Sequence, residues 1–224
     1  MRSTIPGSEV NLLFMMPNKT KSRVIIFAKV PLANFSKTRL VPSLGAIGAA
    51  KLAKVMLDNV LNSGFKSNVG RIELCLTPAI TDSVWHDITI PSNVEISSQC
   101  EGDLGERMAR ATKRALEQDE AVILIGTDCI EMSGTLLKEA FELLAYNDAV
   151  ISPTTDGGYA LLGLKKFNAS IFSNISWSTS DVAYETILKI RQLEWSIHIG
   201  KLLHDVDTPD DLKHVPKEWL HAAI

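Results

Sequence analysis

The segment Ala121-Val122-Ile123-Leu124-Ile125-Gly126-Thr127-Asp128 decides the fold class of this chain. Residues 121–127 predict the clearest β-strand in the sequence, because an unbroken apolar run of this length is typical of a strand buried on both faces of a parallel sheet. Asp128 follows this strand directly. Ligands of open parallel sheets bind beyond the carboxyl ends of the strands, so a functional side chain is expected here.

Strands and helices alternate on both sides of this segment. Further strands are predicted at residues 24–28, 72–77, 94–96, 149–152, 159–164 and 195–199. Helices are predicted over residues 47–64, from Asp103 onward, over 134–145 and 178–193, and from Thr208 onward. This alternation predicts an α/β protein with three α/β/α layers and a mostly parallel, mixed central sheet.

The domain organisation follows from the point at which the regular pattern begins. We predict a disordered N-terminal extension over residues 1–22, which are rich in Ser, Thr, Asn, Pro and Lys, and a single domain over residues 23–224. The extension contains a short apolar patch without a small-residue cleavage site, which argues against a signal peptide.

Composition excludes several classes of protein. The chain has 224 residues, is 46% hydrophobic and carries a net charge of −3, so binding to nucleic acid through bulk charge is not expected. No apolar run approaches the roughly 18–20 residues of a membrane span. The three cysteines lack C-x-x-C spacing, which argues against a zinc knuckle or a disulfide framework and favours the cytoplasm.

The loop after the first strand carries a cluster of cations. Lys29, Lys37 and Arg39 lie here, with Thr38 between the last two. Three cations at one strand end suit a triphosphate or pyrophosphate. The loop lacks the glycines of a Walker A or G-x-G-x-x-G motif, and a solvated basic loop is the alternative interpretation.

Carboxylates follow the cations in the sequence. Asp128 could hold a hard divalent cation through oxygen, or it could cap the next helix or form an Asx-turn. Asp205 and Asp207 share a face of an extended segment, because alternate residues point the same way. Their mutual repulsion favours a nearby positive group such as a metal. The alternative is a polar approach to the helix that Thr208 caps.

Two weaker signals complete the candidate site. Asp156, Gly157, Gly158 and Tyr159 form a tight turn into a strand, where glycines permit close approach of a ligand. A plain hairpin turn is the alternative. The segment from Gly102 to Arg107 places glycines at a helix N-terminus, which either receives an anion or serves only as a cap.

In combination and order, these motifs resemble one family. They are Phe27-Ala28-Lys29-Val30-Pro31, Ser36-Lys37-Thr38-Arg39-Leu40, Gly102-Asp103-Leu104-Gly105-Glu106-Arg107-Met108, Ile125-Gly126-Thr127-Asp128-Cys129, Asp156-Gly157-Gly158-Tyr159, Trp177-Ser178-Thr179 and Asp205-Val206-Asp207-Thr208-Pro209. The family is the bacterial glycosyltransferase-A-like group labelled radical-SAM/selenodomain-associated transferases. It is similar, more distantly, to the molybdenum-cofactor and phospholactate guanylyltransferases.

The resemblance implies a nucleotide-diphospho-sugar transferase (GT-A-like) fold and a set of roles. Lys37 and Arg39 would contact the nucleotide phosphates, and Asp128 would bind Mg²⁺ or Mn²⁺ together with Asp207 or Asp205. Gly102 and Arg107 would lie near the nucleoside, and the turn 156–159 near the acceptor. This chain has Ala33-Asn34 where the family usually has Pro-Gly, and Asn tolerates a left-handed backbone well.

Three functions are compatible with these residues. The first is metal-dependent nucleotidyl transfer from an NTP to a small phosphorylated or hydroxyl acceptor, with Lys37, Arg39 and Asp128 as catalytic residues. The second is glycosyl transfer from a nucleotide sugar, although Asp128 lacks the Asp-x-Asp pairing common in such enzymes. The third is nucleotide binding without turnover. A homodimer is the default expectation for the assembly.

Overall fold

The computed structural model describes residues 22–86 and 88–223. Seven strands form one sheet in the order β3-β2-β1-β4-β6-β5-β7. They are β1 (Ser22–Lys29), β2 (Arg71–Thr77), β3 (Glu95–Ser98), β4 (Ala121–Ile125), β5 (Ala149–Pro153), β6 (Tyr159–Leu164) and β7 (Ile197–Ile199). β6 is antiparallel to both neighbours, and every other pairing is parallel. The predicted mixed, mostly parallel sheet is confirmed.

The described residues form five α-helices, four of which pack against the sheet while the last packs on the first. They are α1 (Val41–Ser67, interrupted at Gly45), α2 (Leu104–Leu116), α3 (Gly134–Leu144), α4 (Val182–Gln192) and α5 (Lys217–Ala223). Short 3₁₀ helices occur at Thr38–Leu40, Ser83–Trp85, Ala169–Phe172 and Pro209–His214. The predicted capping box at the start of α2 is present, with Asp103 accepting from the Glu106 amide and Glu106 accepting from the Asp103 amide.

The core lies in two layers, one on each face of the sheet. Ile26 and Ile123 pack with α1 and α3 on one face, whereas Ile25 and Leu124 pack with α2 and α4 on the other. This division follows from strand geometry, because successive side chains point to opposite faces. Both faces of β1 and β4 are therefore covered, which explains their unbroken apolar sequences.

One helix, Thr38–Ser67, is long and apolar enough by length and composition to cross a membrane. Such a helix is weak evidence for a span, because the core helix of a globular domain passes the same test. Here Leu57, Val60 and Leu61 pack in the core against the sheet. The helix therefore has a packing role in the fold that accounts for its composition.

Several predicted boundaries need correction, and three of them are instructive. β4 ends at Ile125 rather than residue 127, so Asp128 lies in a loop three residues beyond the strand. α4 begins at Val182 rather than at Ser178, because the Glu185 carboxylate accepts from Ser176 and holds the preceding segment in a turn. Ser22, placed in the predicted extension, begins β1; the rest of that extension lies outside the described residues.

Charged side chains, three of them buried, form a cluster at the amino ends of β1 and β2, which we call the amino-end cluster. It consists of Arg23, Arg71, Glu73, Arg114 and Asp119. Nη1 of Arg23 lies 2.5 Å from Glu73 Oε2, and Nε lies 3.0 Å from Asp119 Oδ2. Arg71 pairs with Asp119, and Arg114 pairs with Glu73. Each buried charge therefore has an opposite charge beside it.

Candidate functional site

A cleft of about 620 Å³ opens at the carboxyl ends of β1 and β4. Most of the predicted site residues line it, although they come from distant parts of the sequence. These are Lys29, Lys37, Thr38, Arg39, Arg107, Asp128, Tyr159, Asp205 and Asp207. Gly102, Asp156, Gly157 and Gly158 do not line the cleft. The structure thus brings the predicted cations and carboxylates to one place at the sheet edge.

Lys37 holds the central position among the charged groups. Its backbone is left-handed (φ 50°) at the start of the 3₁₀ helix Thr38–Leu40, and its side chain is only 5% exposed. Nζ lies 2.5 Å from Asp128 Oδ1 and 3.7 Å from Asp207 Oδ1, and it donates to the Val206 carbonyl at 2.5 Å. Asn34 also has a left-handed backbone (φ 63°), as predicted for the departure from Pro-Gly.

Arg39 and Asp207 form a second, more exposed ion pair. Nη1 of Arg39 lies 2.9 Å from Asp207 Oδ2, and the Arg39 side chain is 70% exposed. A hydrogen bond holds the backbone of Asp207 in place, because Asp211 Oδ2 accepts from the Asp207 amide at 3.0 Å. The same oxygen accepts from the amide and hydroxyl of Thr208 at 2.7 and 2.8 Å. The Asp207 carboxylate is therefore held at the cleft while the Arg39 guanidinium is free to follow a ligand.

Asp205 is the least satisfied group in the cleft. Its Oδ1 is buried and has no hydrogen-bond partner among the described residues. The pKa of the Asp205 carboxyl is raised to about 7, chiefly by burial and also by repulsion from Asp128 and Asp156, while Lys37 opposes the shift. A buried polar atom without a partner is uncommon in a folded protein and calls for an explanation, of which an absent ion is one.

Asp128 does not cap the following helix. Ser133 is the N-cap of α3, where its side chain accepts from the Leu136 amide at 3.2 Å. The contacts of the Asp128 carboxylate are the Lys37 ammonium and the Thr127 hydroxyl, at 2.5 and 3.3 Å from Oδ1. Its main chain pairs with the C-terminal segment through a 2.9 Å hydrogen bond from Val206 N. These contacts argue against the capping interpretation.

The donor set around Lys37 fits a hard cation. It comprises the carboxylates of Asp128 and Asp207, the Val206 carbonyl and the partnerless Asp205 oxygen nearby. Within residues 22–86 and 88–223, no group of three or more His, Cys, Asp or Glu side chains is arranged to hold a metal. Mg²⁺ does not require such a cage, because it usually binds one or two carboxylates and completes its shell with water and substrate phosphates.

Arg107 also lines the cleft. Its Nε donates to the Gly102 carbonyl at 2.8 Å and its Nη1 to Gln99 Oε1 at 3.4 Å. Gln99 is buried, and its amide nitrogen donates to the carbonyls of Ala28 and Cys75 on two strands. Gly102 thus positions Arg107 rather than lining the cleft. At φ 103°, Gly102 has a backbone conformation that residues with a side chain rarely adopt, and a Cβ there would displace the Glu106 carboxylate from its place in the capping box.

The turn between β5 and β6 has a structural explanation. Asp156 Oδ1 accepts from the Gly158 amide at 3.0 Å and from the Thr154 hydroxyl at 2.5 Å. Gly157 has φ 92° and packs against the Ser180 backbone, where a Cβ would overlap. Tyr159 lies beyond the turn and does line the cleft, and burial raises the pKa of its hydroxyl. The hairpin interpretation accounts for residues 156–158.

Sequence reasoning missed three parts of this site. Phe35 is 59% exposed at the cleft, and an aromatic residue within the basic loop was the available signal. Gln99 follows β3, and its amide was visible as a polar residue after a strand end. The Val206 carbonyl had no sequence signal, because every residue carries one and only the path of the chain turns it toward Lys37.

The family comparison places this chain. Residues 60–179, slightly more than half of the chain, match the family described as uncharacterized protein conserved in bacteria (DUF2064). The chain therefore belongs to this family. No protein with a curated function matches it.

Comparison with solved structures identifies the fold. A candidate nucleotide-diphospho-sugar transferase from Desulfovibrio desulfuricans G20 is 29% identical, with a TM-score of 0.81, over 86% of this chain and 85% of that one. A CMP:2-keto-3-deoxy-manno-octonic acid synthetase complexed with CTP gives a TM-score of 0.53 at 10% identity, over 87% and 96%. Rv0371c from Mycobacterium tuberculosis H37Rv, complexed with manganese, gives 0.50 at 15% identity, over 87% and 97%. The chain thus has the fold of the nucleotide-diphospho-sugar transferases and nucleotidyltransferases.

Proposed function

We propose that this protein is a metal-dependent nucleotidyltransferase that joins the nucleotidyl group of an NTP to a small phosphorylated or hydroxyl acceptor. One observation carries the proposal: Lys37 and Arg39 meet Asp128, Asp205 and Asp207 in a single cleft at the carboxyl end of the sheet. The family with which the sequence shares its ordered motifs, the radical-SAM/selenodomain-associated transferases, is the more specific group to which we assign it. Three free thiols, Cys75, Cys100 and Cys129, agree with a cytoplasmic location.

The reaction would be an in-line displacement. An acceptor oxygen forms a bond to the α-phosphorus of the NTP, the bond from that phosphorus to the bridging oxygen breaks, and pyrophosphate leaves with both electrons of that bond. Lys37 and Arg39 are suited to stabilise the charge that develops on the leaving pyrophosphate, because preorganised cations are most effective in a partly water-excluded site. An acceptor phosphate is already anionic and needs no general base from the protein.

The cleft fits a divalent cation, Mg²⁺ or Mn²⁺. Asp128, Asp207 and the Val206 carbonyl would hold it, with Asp205 close by. The ion would supply charge neutralisation at the phosphate oxygens. The structural neighbours that contain CTP and manganese support this choice of ligands, although they share only the fold with this chain.

The nucleoside would lie at the wall formed by Phe35, Leu104 and Arg107. Phe35 and Leu104 are 59% and 45% exposed at the cleft, and an exposed aromatic ring offers a stacking surface for a base. Arg107 is held by Gly102 and Gln99, which leaves its Nη2 without a partner among the described residues. The acceptor would enter from the side of Tyr159. The turn 156–158 would then act by fixing the start of β6.

Glycosyl transfer from a nucleotide sugar is the second candidate. The likeness to the Desulfovibrio protein, a candidate nucleotide-diphospho-sugar transferase, favours it. The same cations and carboxylates would then hold a nucleoside diphosphate as the leaving group. Because the two reactions release different products, one assay separates them.

That assay incubates the protein with each of four NTPs, Mg²⁺ or Mn²⁺, and a panel of sugar phosphates and short alcohols. We expect pyrophosphate release that requires both one particular NTP and an acceptor. Release of a nucleoside diphosphate from a UDP-, GDP- or ADP-sugar, without pyrophosphate from any NTP, would establish the second candidate instead. Tight nucleotide binding with neither product, unchanged in Asp128→Ala, would identify a binding protein without turnover.

A further inference from the structure

The Lys37 ammonium has the surroundings of a bound metal ion. Three oxygens face Nζ: the Val206 carbonyl and Asp128 Oδ1 at 2.5 Å each, and Asp207 Oδ1 at 3.7 Å. A main-chain carbonyl combined with carboxylates is a common ligand set for hard divalent cations. The lysine side chain therefore lies where the proposed metal would bind.

The ammonium and a metal cannot both take this position. A metal bound to Asp128 would lie about 2.0–2.6 Å from a carboxylate oxygen, and Lys37 Nζ already lies 2.5 Å from Oδ1 of that carboxylate. Two cations sharing these oxygens would repel each other strongly, since the Lys37 side chain is only 5% exposed and little water screens the pair. Metal binding therefore requires Lys37 to leave.

Lys37 can leave without refolding of the loop. Its backbone position is fixed, because the Leu40 amide donates to the Lys37 carbonyl at 2.9 Å within the turn that begins the 3₁₀ helix. The four-carbon stem ends in a compact ammonium with freely rotating donors, so a change of side-chain torsions redirects the charge. The residue lines the cleft in which the phosphates are expected. A phosphate group would offer the ammonium a new partner as a metal takes the old ones.

We propose that Lys37 occupies the cation position until a nucleotide binds, so that the divalent metal binds tightly only together with the nucleotide. This inference rests on the proposed function, since it concerns the same carboxylates. The inference adds an order of binding to that function. The nucleotide phosphates first draw the Lys37 ammonium away, and the metal then binds to Asp128, Asp207 and the Val206 carbonyl. Because coupling between two ligands is reciprocal, the metal must strengthen nucleotide binding by the same factor.

A static ion pair is the competing explanation of the same contacts. In that case Lys37 merely neutralises Asp128, and the metal would bind elsewhere in the cleft. Removing Lys37 would then leave metal affinity unchanged, or change it only as much as removing another positive charge of the cleft. Lys29 provides this comparison, because it lines the cleft, is exposed and makes no ion pair with a described residue.

The experiment measures Mn²⁺ binding by the loss of the electron paramagnetic resonance signal of free Mn²⁺. The proteins are wild type, Lys37→Met, Lys37→Gln and Lys29→Met, each without nucleotide and with an α,β-methylene NTP that cannot transfer its nucleotidyl group. Gln keeps a donor for the Val206 carbonyl, which guards against a folding defect in the Met variant. Thermal unfolding of each variant verifies that it is folded.

We expect both Lys37 variants to bind Mn²⁺ at least about tenfold more tightly than wild type without nucleotide, within the 5–150-fold range of ordinary coupling. Lys29→Met should stay within about twofold. The nucleotide should tighten Mn²⁺ binding to wild type by about tenfold or more, and should do so much less in the Lys37 variants.

Two results would overturn the inference, and only the second would also overturn the proposed function. Equal Mn²⁺ affinity in wild type and both Lys37 variants would overturn the displacement by Lys37 and leave the proposed function standing. An absence of Mn²⁺ binding to every protein, with and without the nucleotide, would overturn the metal-dependent function as well.

Discussion

The two ends of the sheet differ in whether their buried carboxylates have hydrogen-bond partners. At the amino end, Glu73 is 1% exposed, and both of its oxygens accept hydrogen bonds from Arg23, Arg114 or Ser97. At the carboxyl end, Asp205 has a buried oxygen without a partner among the described residues, and Asp128 and Asp207 lie near it. The first arrangement is internally complete. The second has unused binding capacity, which is what a ligand site requires.

The pKa shifts of the two carboxyls express this difference. Burial pulls the pKa of Glu73 upward, but hydrogen bonds from Arg114, Ser97 and Arg23 outweigh burial and lower it. The pKa of Asp205 is raised to about 7, chiefly by burial and also by repulsion from neighbouring carboxylates, which Lys37 only partly offsets. The protein thus stabilises the charged form of one carboxyl and disfavours that of the other. Such opposition is typical of structural and functional sites respectively.

Breaking the amino-end cluster should give the largest effect. Glu73→Ala leaves half-buried Arg114 without its carboxylate partner and removes one of the carboxylates paired with buried Arg23, and removing one member of a buried pair typically destabilises by about 3–5 kcal/mol. Urea unfolding measures this loss. The control is Lys54→Ala, which breaks the partly exposed pair with Asp58 on α1 and should change stability by less than about 1 kcal/mol.

An equal effect of the two substitutions would contradict the comparison. It would mean that the amino-end cluster contributes no more than a surface pair, and that its arginines find water or other partners when Glu73 is removed. Activity offers a second readout. Glu73 does not line the cleft, so any Glu73→Ala protein that remains folded should retain normal substrate affinity.

Breaking the carboxyl end should affect turnover instead of stability. Asp128→Asn keeps the shape of the side chain but removes the charge that faces Lys37 and the proposed metal. We expect the rate of product formation to fall about 100-fold or more, which corresponds to about 3 kcal/mol of transition-state stabilisation. The free energy of unfolding should change by less than about 1 kcal/mol, because the Asp128 side chain is 45% exposed and Lys37 keeps its hydrogen bond to the Val206 carbonyl. Activity within threefold of wild type would remove Asp128 from the catalytic machinery.

The sequence predicted the fold because apolar periodicity is a local signal. The run 121–125 and the capping box of Asp103 and Glu106 depend only on neighbouring residues, and both formed as predicted. β4 was predicted two residues too long, because Gly126 and Thr127 continue the apolar run without taking part in the sheet. The helix predicted from Ser178 started late for a non-local reason. Glu185 and the close approach of Gly157 to Ser180 fix a turn there.

The candidate site was predictable in composition but not in detail. Motif order indicated which cations and carboxylates would meet, since strand ends of a parallel sheet converge. It did not indicate that Lys37 would lie on the Val206 carbonyl or that Gln99 would hold Arg107. These contacts join residues far apart in the chain. They depend on how three loops pack together, and this packing cannot be predicted from residue type alone.

The pH dependence of stability provides a further test of the difference between the two ends of the sheet. The Asp205 carboxyl has a folded pKa of about 7 against 3.8 in the unfolded chain, so the folded state binds the extra proton between these values. Its contribution to stability is therefore present below about pH 4 and is lost as pH rises through 7. Asp205→Asn removes this loss. Without metal, it should gain about 3–4 kcal/mol relative to wild type between pH 4 and pH 8, because each unit of pKa difference corresponds to about 1.4 kcal/mol.

Denaturant unfolding at a series of pH values in EDTA measures this gain. Glu73→Gln supplies the opposite sign. Because the pKa of Glu73 is lowered on folding, wild type should hold its advantage over this variant at neutral pH and lose it as pH falls through the lowered pKa. Parallel profiles for Asp205→Asn and wild type would show that the Asp205 carboxyl ionises as readily in the folded protein as in the unfolded chain.

The smallest effect should come from removing the carboxylate that accepts from the Asp207 amide. Asp211→Ala removes the acceptor for the amides of Asp207 and Thr208, a loss comparable to that of a helix cap, and should destabilise by about 1 kcal/mol. Asp207 itself remains, so a loosened loop should weaken Mn²⁺ affinity in the presence of nucleotide several-fold without abolishing it. Thr208→Ala is the matched control, because it removes only the hydroxyl that donates to Asp211 and leaves the Asp207 amide bonded. If Thr208→Ala weakened Mn²⁺ binding as much as Asp211→Ala, the amide bond to Asp207 would not be what positions that carboxylate.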